Sequence, residues 1–254
     1  MNSTPDISII TAVLNGAVHL DQCIRSVRSQ CASVAVEHLV IDGASTDGTL
    51  DIIRSHADWL SHWQTGRDSG IADAMNKAIA HSRGAWLLFL QSDDFLIDST
   101  VLGHALQRFG DDADVVGFPV LFGSDGKSSM VQARGANFWL NCKTGFNHQG
   151  TFIRRTLFDR IGLYDPEFKI AMDYEFFLRA YRNGARFTRY RSPAISVMRD
   201  TGISSKRDWS NLHRRFAEER RVHEKHQLPG MAPFYSAYWA LYPIYREALS
   251  KLGR

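Results

Sequence analysis

Cysteine is scarce: Cys23, Cys31 and Cys142 are the only three in 254 residues, and no two of them stand at C-x-x-C spacing. Neither a disulfide framework nor a thiolate zinc site is indicated, and a reducing cytoplasm is the expected compartment. Long apolar runs are also missing, with nothing near the ~20 residues that span a bilayer. The opening MNSTPDISIITAVLNG has neither the basic start nor the apolar stretch of a secretory signal. Basic charge is not concentrated either, and a formal net charge of +3 is too mild to argue for nucleic acid. After the first apolar run the chain reads Ala12-Val13-Leu14-Asn15-Gly16 rather than G-x-G-x-x-G, which removes the dinucleotide fingerprint. The Gly-Lys-Ser at Gly126, Lys127 and Ser128 is no Walker loop, because Leu121 stands where its first glycine belongs. Asp42 to Gly48 lacks the alternating acids of a calcium loop.

What remains is an ordinary globular composition, 44% hydrophobic and 22% charged, which suffices for one large core. Ile7 to Val13 is a short β-branched run broken at Asn15-Gly16, and His19 to Gln30 then carries apolar residues at helical spacing. The cycle repeats with Glu37 to Ile41 before Thr49 to Trp59, with His62 to Thr65 before Gly70 to His81, and with a strand over Ala85 to Leu90. Strands alternating with helices predict a mostly parallel sheet flanked by helices. The second half is less regular. It predicts strands over Val115 to Phe122, near Met130 to Ala133 and over Phe187 to Ser196, and helices over Thr156 to Ile161 and Asp173 to Arg182.

Open sheets of this kind bind ligands outside the C-terminal ends of their strands. Thr11 and Asn15 follow the first strand, Asp42 and Asp47 the second, Arg67 and Asp68 the third, and Asp93 and Asp94 the fourth. One aspartate at such a place is an ordinary helix cap. Two adjacent carboxylates in LLFLQSDD repel one another, and a divalent cation between them would remove the conflict.

ISIITAVLNG, VIDGASTDGT, RDSGIADAMNKAI, LLFLQSDD, HQGTFIRRTLFDRIGLYD and MDYEFFLR stand in this order, and together they resemble the GT-A glycosyltransferases of family 2. The likeness is strongest to the bacterial branch that builds polysaccharides and O-antigens, and it runs from about residue 6 to about residue 205. It implies a GT-A fold, an α/β nucleotide-diphospho-sugar transferase architecture. The catalytic domain would span 1–205, with a nucleotide-binding half at 1–95 and an acceptor-binding half at 96–205. A C-terminal helical extension would follow at 206–254.

The resemblance implies a nucleotide-sugar donor, commonly a UDP-sugar, and a glycan or lipid-linked glycan acceptor. Carried over by position, Thr11 and Asn15 would edge the base and ribose, and Asp42 would accept a hydrogen bond from the base. Asp68 and Asp73 would lie near the ribose and donor sugar, with Arg67, Asn76 and Ser92 in the same donor-binding set. Asp93 and Asp94 would hold Mn²⁺ or Mg²⁺, although Gln91 stands where the first acid of a D-x-D motif often is. Asp173, at the start of a helix whose positive end favours a carboxylate, would be the base of an inverting displacement. His148 and Gln149 would orient acceptor or diphosphate. Arg199 to Arg207, including Lys206, resembles a loop that closes over the diphosphate.

The alternatives are a sugar-nucleotidyltransferase, which would normally show a glycine-rich phosphate loop after the first strand, and a non-catalytic nucleotide-sugar binder. Asp208 to His226 mixes both charge signs and reads as a solvated helix. Beyond it Phe234, Tyr235, Tyr238, Trp239, Tyr242 and Tyr245 crowd a segment that Pro243 should kink or divide. Aromatic residues with polar tips suit packing on the catalytic domain, a homodimer contact, or peripheral docking on an anionic membrane.

Overall fold

The computed structural model describes residues 4–32, 34–124, 127–200 and 209–251. In chain order its elements are β1 (Ile7–Val13), α1 (Leu20–Arg28), β2 (Val36–Asp42), α2 (Thr49–Ser55), β3 (His62–Thr65), α3 (Ile71–His81), β4 (Trp86–Phe89), β5 (Phe95–Leu96) and α4 (Val101–Leu106). There follow β6 (Val115–Gly117), β7 (Val120–Ser124), β8 (Lys127–Val131), β9 (Thr151–Arg154), α5 (Arg155–Ile161), α6 (Met172–Arg182), β10 (Phe187–Arg189), β11 (Ser196–Met198), α7 (Trp209–Lys225) and α8 (Ala232–Lys251).

Seven strands form the central sheet in the order β10-β6-β9-β4-β1-β2-β3. All pairs are parallel except those of β9, which runs antiparallel to both β4 and β6. Because side chains alternate across a strand, β1 feeds two cores. Ile10 and Ala12 join the face covered by α3, α5 and α6, whereas Ile7 and Ile9 join the face covered by α1 and α4. Leu87 and Phe89 of β4 repeat the first choice, and Leu88 repeats the second. Burial on both faces explains why these strands read as continuous apolar runs.

The expected strand over Val115 to Phe122 is two strands in two sheets. Pro119 has no N–H for a ladder, and the chain turns there: Phe118 N–H donates to Gly150 O at 2.7 Å, and Ile195 N–H donates to Pro119 O at 2.9 Å. Gly150 is required by this approach, since a Cβ on it would lie 2.7 Å from Phe118 O. Phe187 to Ser196 likewise divides into β10 and β11. The second pieces, β7 and β11, join β5 and β8 in a four-stranded sheet that the sequence pattern does not announce.

The tail is helical and packed on the catalytic unit. Tyr235 Oη donates to Asn141 O at 3.1 Å, and Lys143 Nζ donates to Tyr242 Oη at 3.1 Å. Trp239 Nε1–H donates to His223 Nδ1 at 2.9 Å, so His223 carries its proton on Nε2, 2.7 Å from Tyr174 Oη. Burial, and then the charge of Arg182, lowers His223 to about 4. Pro243 stands inside α8 without dividing it, in a helix whose Tyr235, Tyr238, Trp239 and Tyr242 pack as one aromatic stripe. The opposite side of α8 leaves Leu241, Ile244 and Tyr245 exposed, with Phe138 and Trp139 exposed nearby. Among the described residues no helix is long and apolar enough to cross a membrane.

Candidate active site

The acid pair follows β4 at the C-terminal edge of the sheet. Asp94 N–H closes a turn onto Gln91 O at 3.0 Å, so the two carboxylates leave the strand end from a tight corner. They are not equivalent. Asp94 is 1% exposed and both of its oxygens are engaged: Oδ1 accepts from Arg199 N–H and Oδ2 from Gln149 Nε2, each at 2.9 Å. Burial first, and then the neighbouring charge of Asp93, pushes Asp94 up to about 7. Asp93 is half-buried.

Arg199 fastens this corner from above. Besides its backbone contact with Asp94, its guanidinium donates to Asp93 O and to Gln22 Oε1, and it lies over the Phe95 ring at 4.8 Å. Three residues expected at the site, Asp94, Gln149 and Arg199, are thus brought together from three distant parts of the chain. Lys206 lies outside the described residues.

On the neighbouring side, α6 begins with Met172 after Ala171, and Asp173 stands in its first turn. Asp173 is half-buried, and its Oδ1 accepts from Tyr174 N–H at 2.7 Å. His148 is buried beside it, with Nε2 3.1 Å from Tyr164 Oη. Burial lowers the His148 pKa while the charge of Asp173 opposes that effect. His148 and Gln149 are consecutive, so one short segment touches Asp94 with one residue and carries, in the other, a buried histidine that feels the charge of Asp173.

The donor-side residues divide into those that face the cleft and those used to build it. Thr11 is fully buried; its hydroxyl donates to Leu90 O at 2.8 Å and meets His38 Nε2 at 2.9 Å. It pins β1 to the chain leaving β4, which places it beneath the cleft and not at the edge of a base. Asp42 is also fully buried, its oxygens accepting from Ser45 N–H at 3.2 Å and from the Ser45 and Thr65 hydroxyls, each at 2.5 Å. Asn15, with φ of 53°, accepts from Thr46 N–H at 2.9 Å and holds the first loop against the second. Asp68 accepts from Gly70 N–H at 3.0 Å and leans over Gly43, where a Cβ would approach its Oδ2 to 2.9 Å. Arg67 is exposed at the rim, and Ser92 abuts Gly16.

Two residues expected to contact the ligand also have partners within the protein. Asp73 accepts from Ser69 N–H at 3.0 Å and pairs with Lys77 at 2.9 Å; the Ser69 contact, then Lys77, lowers its pKa. Asn76 donates to Tyr164 O at 2.8 Å and accepts from Tyr164 N–H at 3.0 Å, a two-way clamp between α3 and the segment leading to α6. Sequence reasoning missed Tyr164, Gln22 and Ser45 as parts of this network. Tyr164 lies in a quoted motif, but its pairing with His148 depends on a tertiary approach that spacing does not encode.

Among the described residues no group of three or more His, Cys, Asp or Glu could hold a metal alone. A cation at Asp93 would therefore complete its shell with ligand phosphate oxygens and water, as Mg²⁺ and Mn²⁺ commonly do. The donor set, hard carboxylate oxygen at an open corner, fits such an ion.

A family model described as Glycosyl transferase family 2 matches residues 8–184. The chain is 35% identical over 188 residues to an uncharacterized glycosyltransferase of Mycobacterium tuberculosis, covering 71% of this chain and 70% of that protein. It is 33% identical over 215 residues to a PGL/p-HBAD biosynthesis glycosyltransferase of Mycobacterium bovis, covering 79% of each. Among solved structures it resembles S. aureus TarS 1–349 in complex with UDP-GlcNAc, with TM-score 0.67, 19% identity, and 88% of this chain and 68% of that one covered. It also resembles the mannosyltransferase PcManGT of Pyrobaculum calidifontis in complex with GDP-Man and Mn²⁺, with TM-score 0.67, 18% identity, and 94% and 70% covered. The sheet order, the acid corner after β4 and this match agree: the chain is a GT-A-fold enzyme that belongs to glycosyltransferase family 2.

Proposed function

We propose that the enzyme transfers a sugar, with inversion, from a nucleotide-diphosphate donor of the UDP-sugar type to a hydroxyl of a glycan or polyprenyl-diphosphate-linked acceptor in cell-surface glycoconjugate synthesis. The observation that carries this reading is the convergence of Asp93 and Asp94, Gln149 and Arg199 at one end of the sheet. The mycobacterial relative named for PGL/p-HBAD biosynthesis, and the fold neighbours bound to UDP-GlcNAc or to GDP-Man and Mn²⁺, support the substrate class.

Glycosyl transfer leaves charge on the departing diphosphate and requires the attacking hydroxyl to lose its proton. A divalent cation, when bound, supplies Lewis-acid stabilisation of that diphosphate. Asp93, the more exposed of the two acids, would ligate it directly. Asp94, held by Gln149 and Arg199, fixes the corner behind it. Arg199 places a fixed cation beside the leaving group, and Asp173 accepts the acceptor proton. His148 and Tyr164 form the wall that orients the attacking group.

The exposed Leu241, Ile244 and Tyr245 of α8 and the nearby Phe138 and Trp139 support peripheral contact with a membrane that presents a lipid-linked acceptor. Lys143, which donates to Tyr242 Oη, sets a cation beside this helix, which favours an anionic surface. Reduced binding of Leu241→Asp to anionic vesicles would support this contact, and unchanged binding would remove it.

Transfer itself is tested with a panel of nucleotide-sugars, each scored for thermal stabilisation with and without Mn²⁺ and then for turnover. Metal-dependent stabilisation by one sugar-nucleotide supports the reading, and indifference to every donor contradicts it.

A further inference from the structure

We propose that Glu218, on the helix beyond the family-matched residues, is a positioning residue for Asp173. Its Oε2 accepts three consecutive backbone N–H groups, from Lys169 at 3.0 Å, Ile170 at 2.7 Å and Ala171 at 2.9 Å. These amides lie immediately before α6, at the helix end that carries Asp173 in its first turn. The family match ends at residue 184, so this contact comes from a part of the chain that the family pattern does not reach.

Free N–H groups at a helix start must find acceptors, and the N-cap position here is Ala171, which has no side-chain oxygen to offer. Two local carboxylates could serve instead. Glu175 is committed: it pairs with Arg179 at 3.0 Å and meets His226 Nε2 at 2.7 Å. Asp173 already accepts from Tyr174 N–H, so without Glu218 it is the remaining local acceptor and would be drawn back over its own helix end. Glu218 instead holds the three amides that lead into α6, the N-cap amide of Ala171 among them, and so fixes the turn from which Asp173 projects. It also sets an anion against the positive helix end, which fixes the approach of residues 169–171.

The register of Glu218 is itself secured. One side of α7 is fastened by Arg221 Nη2 donating to Glu167 O at 3.0 Å, by Lys225 pairing with Asp165, and by His226 meeting Glu175. Arg215, one turn earlier, pairs with Glu219 at 2.8 Å. Although burial opposes it, the charges of Glu219 and then Asp173 raise the Arg215 pKa. On this account α7 completes the active site and is more than an appended solvated helix.

The inference rests on Asp173 being the base, and the test separates the two claims. Glu218→Ala, Glu218→Gln and Asp173→Asn are compared for donor binding, KM and kcat. Glu218→Ala should lose roughly ten- to a hundredfold in kcat, the scale of a small misplacement of a reacting group, with donor KM held within about twofold. Glu218→Gln keeps an oxygen that accepts the amides and should retain most of the activity. Formate at tens of millimolar should restore part of the kcat of Glu218→Ala and none of that of Asp173→Asn. If Glu218→Ala does not fold, Glu218→Asp, one methylene shorter, replaces it with the same readouts. Wild-type kcat in the Glu218 variants beside an inactive Asp173→Asn would overturn this proposal alone. Loss of kcat that neither Gln nor formate recovers would overturn it as well, leaving a packing role. Wild-type turnover in Asp173→Asn would remove the base and the positioning role with it.

Discussion

Gln149 Nε2 donates to Asp94 Oδ2 at 2.9 Å, and the residue before it, His148, is buried and feels the charge of Asp173. A two-residue strip therefore couples the corner proposed to hold the metal to the proposed base. The coupling runs through a fully buried carboxylate, so a change at either end should be felt at the other.

Asp173→Asn keeps the shape of the side chain and removes its capacity to take a proton. Turnover should fall on the order of 10² to 10⁴-fold while donor affinity is nearly unchanged. Steady-state kinetics combined with calorimetric donor binding would check this.

Arg199 acts through a planar fork, with one arm on Asp93 O, another on Gln22 and the flat face on Phe95. Lysine keeps the charge but not that geometry. Arg199→Lys should therefore weaken metal-dependent donor binding about as much as Arg199→Ala does, on the order of tenfold, in a titration with Mn²⁺ present. Full retention by lysine would mean that only charge matters there.

Asn76 separates a ligand role from a structural one. The clamp on both sides of the Tyr164 backbone predicts that Asn76→Ala costs about 1–3 kcal/mol of stability. Donor affinity should stay close to wild type. Chemical denaturation beside donor titration distinguishes this from direct contact with the sugar-nucleotide, which would reverse the pattern.

His223 makes the docking of α8 sensitive to acid. Trp239 already donates to its Nδ1, so a second proton would face a donor. Its folded value of about 4 lies below the ordinary histidine value of 6.5, so the unfolded chain binds more protons between those limits. The stabilisation is present above about pH 6.5 and is lost as pH falls towards 4, on the order of 3 kcal/mol in all. Trp fluorescence followed through urea unfolding at several pH values should show the slope, and His223→Asn should flatten it by about one proton.

The first half of the chain could be read from its residues because local pattern and tertiary role agree there. Each apolar run is a strand buried on both faces, and each Gly-containing break is a loop at the binding edge. The second half hid its topology in Pro119 and in the stretch between Arg189 and Ser196, where one apolar run serves two sheets. Within the site, the positions of Asp93, Asp94 and Asp173 were visible as motif and spacing. Their inequality was not: only packing shows that Asp94 is enclosed while Asp93 is more open, that Thr11 lies beneath the cleft, and that Asn76 is committed to Tyr164. Glu218 looked like one charge among many on a mixed helix, since nothing local marks a carboxylate whose partners lie 47 to 49 residues earlier.

The most direct test of the central claim is calorimetric titration of a turned-over nucleotide-sugar, with and without Mn²⁺, into wild type, Asp93→Asn and Asp173→Asn, alongside transfer rates. The account predicts Mn²⁺-dependent donor binding in wild type and in Asp173→Asn, its loss in Asp93→Asn, and negligible transfer by both variants. Undiminished Mn²⁺-dependent binding by Asp93→Asn, or wild-type transfer by Asp173→Asn, would contradict it.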